Sequence, residues 1–181
     1  MLYLIGGAAR TGKTTLSLKI LERNKIACIS TDVLRNTLSN VYPELLSKEL
    51  YSDKDAIAEK LFPYFLCFFK NVHDKYPNYV VEGETFFPSQ IAGIEKDRLA
   101  IKCVFLGFSK TDLETLKKTT EYNDWISKMS AEQQAGVPQH LIDLSEQFKK
   151  ECKEFGYKFI DVSDNWETSL EDAYEYLMSN K

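Results

Sequence analysis

The sequence predicts an α/β fold: a three-layer α/β/α sandwich around a five-stranded parallel sheet. Five short apolar, β-rich runs carry the prediction: Leu2–Ile5, Ile26–Ile29, Tyr79–Val81, Ile101–Leu106 and Tyr157–Ile160. Longer segments of helical periodicity separate them, and short buried strands alternating with amphipathic helices indicate parallel crossover units. In such sheets ligands lie beyond the carboxyl ends of the strands, so the residues that follow each run are the candidates for chemistry.

The first run, Leu2-Tyr3-Leu4-Ile5, has no polar interruption, as a strand covered on both faces requires. It leads into Gly7-Ala8-Ala9-Arg10-Thr11-Gly12-Lys13-Thr14, two glycines, a lysine and a hydroxyl at the spacing of a loop that cradles phosphates. The glycines let the backbone turn tightly, so that successive N–H groups point inward at phosphate oxygens. Lys13 supplies a mobile positive charge for the outer phosphates. The Thr14 hydroxyl is placed to ligate a bridging magnesium ion, and Thr15 is an auxiliary donor. Leu16, Ile20 and Leu21 then recur at helical spacing, so a helix begins at Lys13 or Thr14 and aims its positive end at the phosphates.

The second run is followed by Ser30-Thr31-Asp32-Val33-Leu34-Arg35. Asp32 falls at the rim of the sheet near the phosphate loop, with Arg35 one helical turn later on the same face. An aspartate there either accepts a proton from an attacking hydroxyl or holds a magnesium-bound water, and the arginine forks onto an anionic group of an acceptor. By residue type alone Asp32 would also serve as a helix N-cap and Arg35 as a solvated side chain. Their position at a strand end facing the phosphate loop favours chemistry.

About 45 residues separate this point from the third run, against the 10–12 that a crossover needs at minimum. A helical insertion over about 33–77 is expected, comprising a short piece from Glu44 to Tyr51 and a long helix from Asp53 to Tyr76, kinked or divided at Pro63. It is placed to cap an acceptor pocket. Its many aromatic residues read chiefly as core, with one or two available to line that pocket.

The third run enters Glu82-Gly83-Glu84-Thr85, where Glu82 is the candidate for the magnesium ion's water shell and Glu84 for the acceptor side, the alternative for either being a rim charge with no task. Gly83 lets the backbone pass close by. Arg98, at the other end of the sheet, reads as structural. Ser109-Lys110-Thr111-Asp112 has capping-box spacing ahead of a helix to about Thr119. The polar stretch 119–139, with Gly136 and Pro138, is expected to be a mobile flap that excludes water, with Lys110, Lys117, Lys118 and Lys128 as its available cations, although each lysine taken singly reads better as part of a solvated helix face. A helix from His140 to Phe155, the last run and a helix from Trp166 to Met178 complete the layers. Ser163, Asp164 and Asn165 either approach a nucleotide base or serve as turn and cap residues.

With 181 residues, 44% of them apolar and 28% charged, the chain is one domain of ordinary globular composition. A net charge of −4 disfavours a polyanion-binding surface, so no nucleic-acid partner is expected. Cys28, Cys67, Cys103 and Cys152 have no metal-ligand or C-x-x-C spacing and read as reduced thiols, and neither His73 nor His140 has a ligand partner at useful spacing. No leader sequence is recognisable, and the longest apolar run, Leu61–Phe69, is too short to span a membrane. No membrane partner is expected, and a cytoplasmic location follows by elimination.

The Gly7–Thr15 loop after its strand, the Ile29–Arg35 segment, and Val80-Val81-Glu82-Gly83 followed by Pro88 together resemble the nucleoside-monophosphate-kinase-like P-loop kinases over about the first half of the chain. The second motif looks like that of adenylate kinase with one glycine missing before the aspartate. Its pairing with Glu82-Gly83 is more similar to 2-phosphoglycerate kinase, chloramphenicol phosphotransferase and zeta-toxin relatives. The resemblance implies that Gly7, Ala8, Ala9, Arg10, Thr11, Gly12, Lys13, Thr14 and Thr15 bind ATP, that Thr14, Asp32 and Glu82 serve magnesium, that Asp32 is a base or metal-shell residue, and that Arg35 holds the acceptor. Such kinases usually place arginines in the flap, and this chain has no arginine after Arg98. Either Arg10 and the flap lysines substitute, or transfer is weak. The missing glycine argues against a plain nucleotide acceptor.

The function expected is therefore an ATP- and magnesium-dependent transfer of a phosphoryl group to a hydroxyl of a small molecule, with Lys13, Arg10, Arg35 and Asp32 as the catalytic set. A nucleotide-binding regulatory protein or weak NTPase is the alternative. Polynucleotide kinase activity ranks third because of the acidic charge.

Overall fold

The computed structural model describes residues 1–45, 54–94, 99–118 and 124–179. Strand β1 (Leu2–Gly7) occupies the centre of a five-stranded sheet, between β3 (Tyr79–Glu82) and β4 (Ile101–Gly107), with β2 (Cys28–Ser30) and β5 (Lys158–Asp161) at the edges. Every pairing is parallel. The central position explains the uninterrupted apolar character of the first run: Leu2, Leu4 and Ile5 are fully buried. The second strand begins two residues and ends one residue later than the expected run, and the edge strand Cys28–Ser30 pairs with β3.

Helix α1 (Lys13–Asn24) and the last helix, α7 (Trp166–Met178), pack against each other, burying Leu16 and Ile20 of the first and Leu170, Ala173 and Leu177 of the second. Glu171 of α7 binds Lys19 and Arg23 of α1 at 2.8 and 2.6 Å. Over β4 the core is aromatic. Phe105 of β4 meets Phe86 at 6.0 Å and Phe148 of α6 (Ala131–Phe155) at 5.5 Å, Phe86 meets Phe69 of α3 (Lys54–Lys75) at 6.1 Å, and Phe87 stacks on Phe148 at 4.9 Å. Burial of each such ring stabilises the fold by about 1.5–3 kcal/mol.

Several boundaries differ from those expected. Helix α3 runs through Pro63 as one helix, and α2 (Thr31–Val41) is followed by a single 3-10 turn at Pro43–Leu45. The rest of the short helix expected to Tyr51 lies outside the described residues, as does Arg98. A five-residue helix α4 (Pro88–Ala92) that periodicity did not indicate follows Phe87. Ser109 does not cap a helix. Its N–H donates to Asp161 Oδ1 and Ser163 Oγ, and α5 (Leu113–Lys118) is instead held by Asp112 Oδ1, which accepts from Thr115 N–H at 2.8 Å.

The largest difference concerns the stretch read as a flap. Its first residues, 119–123, lie outside the described residues. Asp124 Oδ1 accepts from Ser127 N–H beside a 3-10 turn at Ile126–Lys128, and from Ala131 onward the chain is already helix α6, nine residues before the expected start at His140. The reason is a capping box upstream: Ser130 Oγ accepts from Gln133 N–H at 3.3 Å while Gln133 Oε1 accepts from Ser130 N–H at 3.0 Å. Two helix-breaking residues, Gly136 and Pro138, follow inside the helix, where α6 already packs Val137 and Leu141 inward.

Candidate active site

The phosphate loop is shaped by three residues at positive φ: Gly7 (125°), Arg10 (67°) and Gly12 (93°). Gly7 is required twice over, since a Cβ there would also lie 1.9 Å from the Leu106 carbonyl oxygen. Ala8 is fully buried and its carbonyl is the anchor of the loop, accepting from Thr11 Oγ1 at 2.8 Å and from the Lys13 ammonium at 2.7 Å. Lys13, only 8% exposed, thus starts folded back on the loop that would present it to phosphate. The N-terminus of α1 opens at Lys13 with no side-chain cap, leaving its first amides available to an anion.

Strand register brings the other elements to the same rim. Ile5 of β1 and Ser30 of β2 both lie level with Glu82 of β3. Ser30 Oγ accepts from Asp32 N–H at 3.2 Å and caps α2, so Asp32 is a first-turn residue and not the cap. Arg35 stands between two carboxylates, 3.4 Å from Asp32 and 3.9 Å from Glu84. Gly83 admits no side chain because Thr31 Oγ1 occupies the space 1.7 Å from where a Cβ would be.

Thr14 Oγ1 donates to Glu82 Oε1 at 3.1 Å, joining the start of α1 to the end of β3. Glu82 is 4% exposed, and burial is the main reason its carboxyl is held above the usual range, against the opposing pull of Lys13 and of hydroxyl donors from Ser30 and Thr14. A buried carboxylate beside a loop hydroxyl is an oxygen donor pair suited to a hard divalent cation.

These groups face one cavity of about 710 Å³, large enough for a nucleotide tail and a small acceptor together. Ala9, Arg10, Gly12, Lys13, Thr14, Thr15, Asp32, Arg35, Glu82 and Glu84 all line it. Gly7, Ala8 and Thr11 are not among its walls. Their part in the loop is to shape and brace it from behind. The far wall comes from residues that pattern reading left unassigned or read otherwise: Ile57 of α3, Trp125 and Met129, Gln133, Gly136, Val137, His140 and Leu141 of α6, and Trp166. His140, for which the sequence offered no partner, is a wall residue because α6 begins early enough to carry it there. The capping box at Ser130 was the available signal.

Four lysines offered as flap cations do not reach the cavity. Lys110 pairs with Asp164 at 2.5 Å, Lys117 donates to Gln134, Lys118 pairs with Glu114, and Lys128 is exposed. Ser163 and Asn165 are bracing and cap residues: Ser163 accepts from the amides of Ser109 and Lys110, and Asn165 from that of Thr168. No aromatic residue of α3 lines the cavity; the two tryptophans do.

No family model matches the sequence, and no curated protein matches it. Solved structures do. The chain is similar to the gluconokinase of Sinorhizobium meliloti 1021 (13% identity, 97% of this chain and 90% of that one, TM-score 0.56). It is similar to the shikimate kinase of Acinetobacter baumannii determined with shikimate (14%, 99% and 94%, 0.59). It is also similar to the deoxyadenosine kinase of M. mycoides determined with dCMP and dCDP (15%, 100% and 100%, 0.52). These likenesses show the fold, a five-stranded parallel sheet flanked by helices that this chain shares with the three kinases.

Proposed function

We propose that the chain is an ATP- and magnesium-dependent phosphotransferase acting on a hydroxyl of a small molecule, working in the cytoplasm. The observation that carries the reading is the opening of the phosphate loop and of the Asp32–Arg35 turn onto one shared cavity, whose wall also holds the Thr14–Glu82 pair. Nucleotide binding would draw the Lys13 ammonium from the Ala8 carbonyl to the outer phosphates, while the loop amides and the start of α1 take the remaining phosphate oxygens. Thr14 and Glu82 would hold magnesium, which when bound would supply neutralisation of the phosphates' negative charge. Asp32, in the first turn of α2, would accept the proton of the attacking hydroxyl, and Arg35 would hold the acceptor in line. The similarity to gluconokinase, shikimate kinase and deoxyadenosine kinase supports transfer to a small molecule, and their three different names leave the hydroxyl compound to be identified.

The test is a metabolite-library screen for ADP release, with the Lys13→Ala protein as blank. Acceptor-dependent release by the wild type alone supports the proposal. MgATP binding without acceptor-dependent release would point instead to a nucleotide-responsive regulatory protein.

A further inference from the structure

Helix α6 has a charged face that the candidate active site does not use. Glu146, Lys149, Lys150 and Lys153 recur at the spacing of one helical face, away from the buried stripe of Leu144, Phe148 and Cys152. The three lysines are exposed and line the outer side of a second cavity, of about 360 Å³, beside the edge strand β5. None of them has an ion-pair partner among the described residues. The floor is apolar. Phe108 is 6% exposed, and the Phe159 ring of β5 lies across Gly107, where a Cβ would be 2.7 Å from the ring and 2.8 Å from Ser145 Cβ. Ser145, buried in the same floor, has its hydroxyl fully used: it donates to the Leu141 carbonyl at 2.6 Å and accepts from Phe108 N–H at 2.9 Å. The inner end of a ligand would therefore meet carbon. Of the two carboxylates in the wall, Asp161 is engaged by the loop after β4, accepting from Ser109 N–H at 3.2 Å and from Ser163 Oγ at 2.6 Å. Glu146 alone is left against three ammonium groups, a local excess of positive charge on a chain of net charge −4.

We propose that this cavity is a second ligand site, taking a small aromatic phosphate monoester with its ring against Phe108 and Phe159 and its phosphate among the ammonium groups of Lys149, Lys150 and Lys153. A phosphate monoester carries close to two negative charges at neutral pH, and lysines meet it as mobile point charges that need no fixed fork. The volume is at the low end for small-molecule sites and suits one ring with one such group. The walls of the two cavities have no residue in common, so this site goes beyond the phosphotransferase reading and does not rest on it.

Phenyl phosphate is the probe, titrated by calorimetry into the full chain saturated with MgAMP-PNP and, separately, into Lys13→Ala, so that the phosphate loop does not account for the heat. Inorganic phosphate and phenol present the anion and the ring alone. Expected is one-site binding of phenyl phosphate with a Kd of about 1 mM or below, at least about tenfold tighter than either part. Lys149→Gln/Lys153→Gln, at exposed positions that leave folding intact, should weaken it about tenfold or more. Lys60→Gln/Lys70→Gln, which removes the same charge from exposed positions of α3, should weaken it less than about twofold. Phe159→Leu should weaken phenyl phosphate and leave inorganic phosphate unchanged. No saturable heat up to about 10 mM would overturn the proposal. So would equal losses from the two lysine pairs, inorganic phosphate binding as tightly as phenyl phosphate, or binding that disappears in Lys13→Ala. Failure of MgAMP-PNP to bind would overturn the phosphotransferase reading and leave this site standing on the Lys13→Ala titrations.

Discussion

Gly12 and Trp166 are fitted to each other: a Cβ at Gly12 would lie 2.9 Å from two atoms of the indole ring, and the ring itself lines the cavity onto which the loop opens. The first residue of the last helix thus sits against the last turn of the phosphate loop, about 150 residues earlier in the chain.

The contact makes Gly12→Ala doubly unfavourable, through the ring and through a φ of 93°. We expect a loss of about 1–3 kcal/mol in urea unfolding. Combining it with Trp166→Leu should restore part of that loss, the share due to the ring, and leave the backbone share. A Gly12→Ala protein as stable as the wild type would contradict the packing described.

Lys13→Ala removes the charge that would meet the outer phosphates. A hydrogen bond to a charged group contributes about 1.5–3 kcal/mol, so MgATP affinity measured by calorimetry should fall roughly 10- to 150-fold. The far-ultraviolet circular dichroism should not change. Retained affinity would remove Lys13 from the site.

Glu82 gives a pH signature. Burial holds its carboxyl above the ordinary 4.5 in the folded chain, so between that value and the raised one the native state carries a proton that the unfolded state has released. Stability associated with this group is fully present below the unfolded value and declines as pH rises through the folded one. Without magnesium, Glu82→Gln should therefore melt higher than the wild type at neutral pH and show a flatter melting-temperature profile from pH 4.5 upward, while losing magnesium-dependent nucleotide binding. A lower melting temperature at neutral pH for the glutamine variant would show that the carboxylate is stabilising there, against this account.

Asp32→Asn retains the shape of the side chain and removes its basicity. Once an acceptor is in hand, kcat should drop about 10²- to 10⁴-fold with MgATP affinity nearly unchanged. Transfer at the wild-type rate would leave Asp32 without the role of base.

The phosphate loop, the five strands and the last helix are legible in the amino-acid sequence because each rests on residues close together along the chain: two glycines at a fixed spacing, an unbroken apolar run, and a helical face from Trp166 to Met178. Pro63, Gly136 and Pro138 point the other way. In each case helix packing against the core outweighs a local breaker, as Val137 and Leu141 show by their burial. The Ser130 capping box is equally local, but the glycine and proline that follow it are the more conspicuous signal and hide it.

By itself the sequence determined that a glycine-bounded loop lies between the first strand and the first helix, since that depends on residue types at fixed separations. Only the tertiary structure decided what shares the cavity with it. Parallel register set Glu82 level with Ile5 and Ser30, and the early start of α6 carried Gln133, Val137 and His140 to the opposite wall. Those placements depend on how strands align and how helices pack, which are properties of distant residues meeting and leave no short-range mark in the chain.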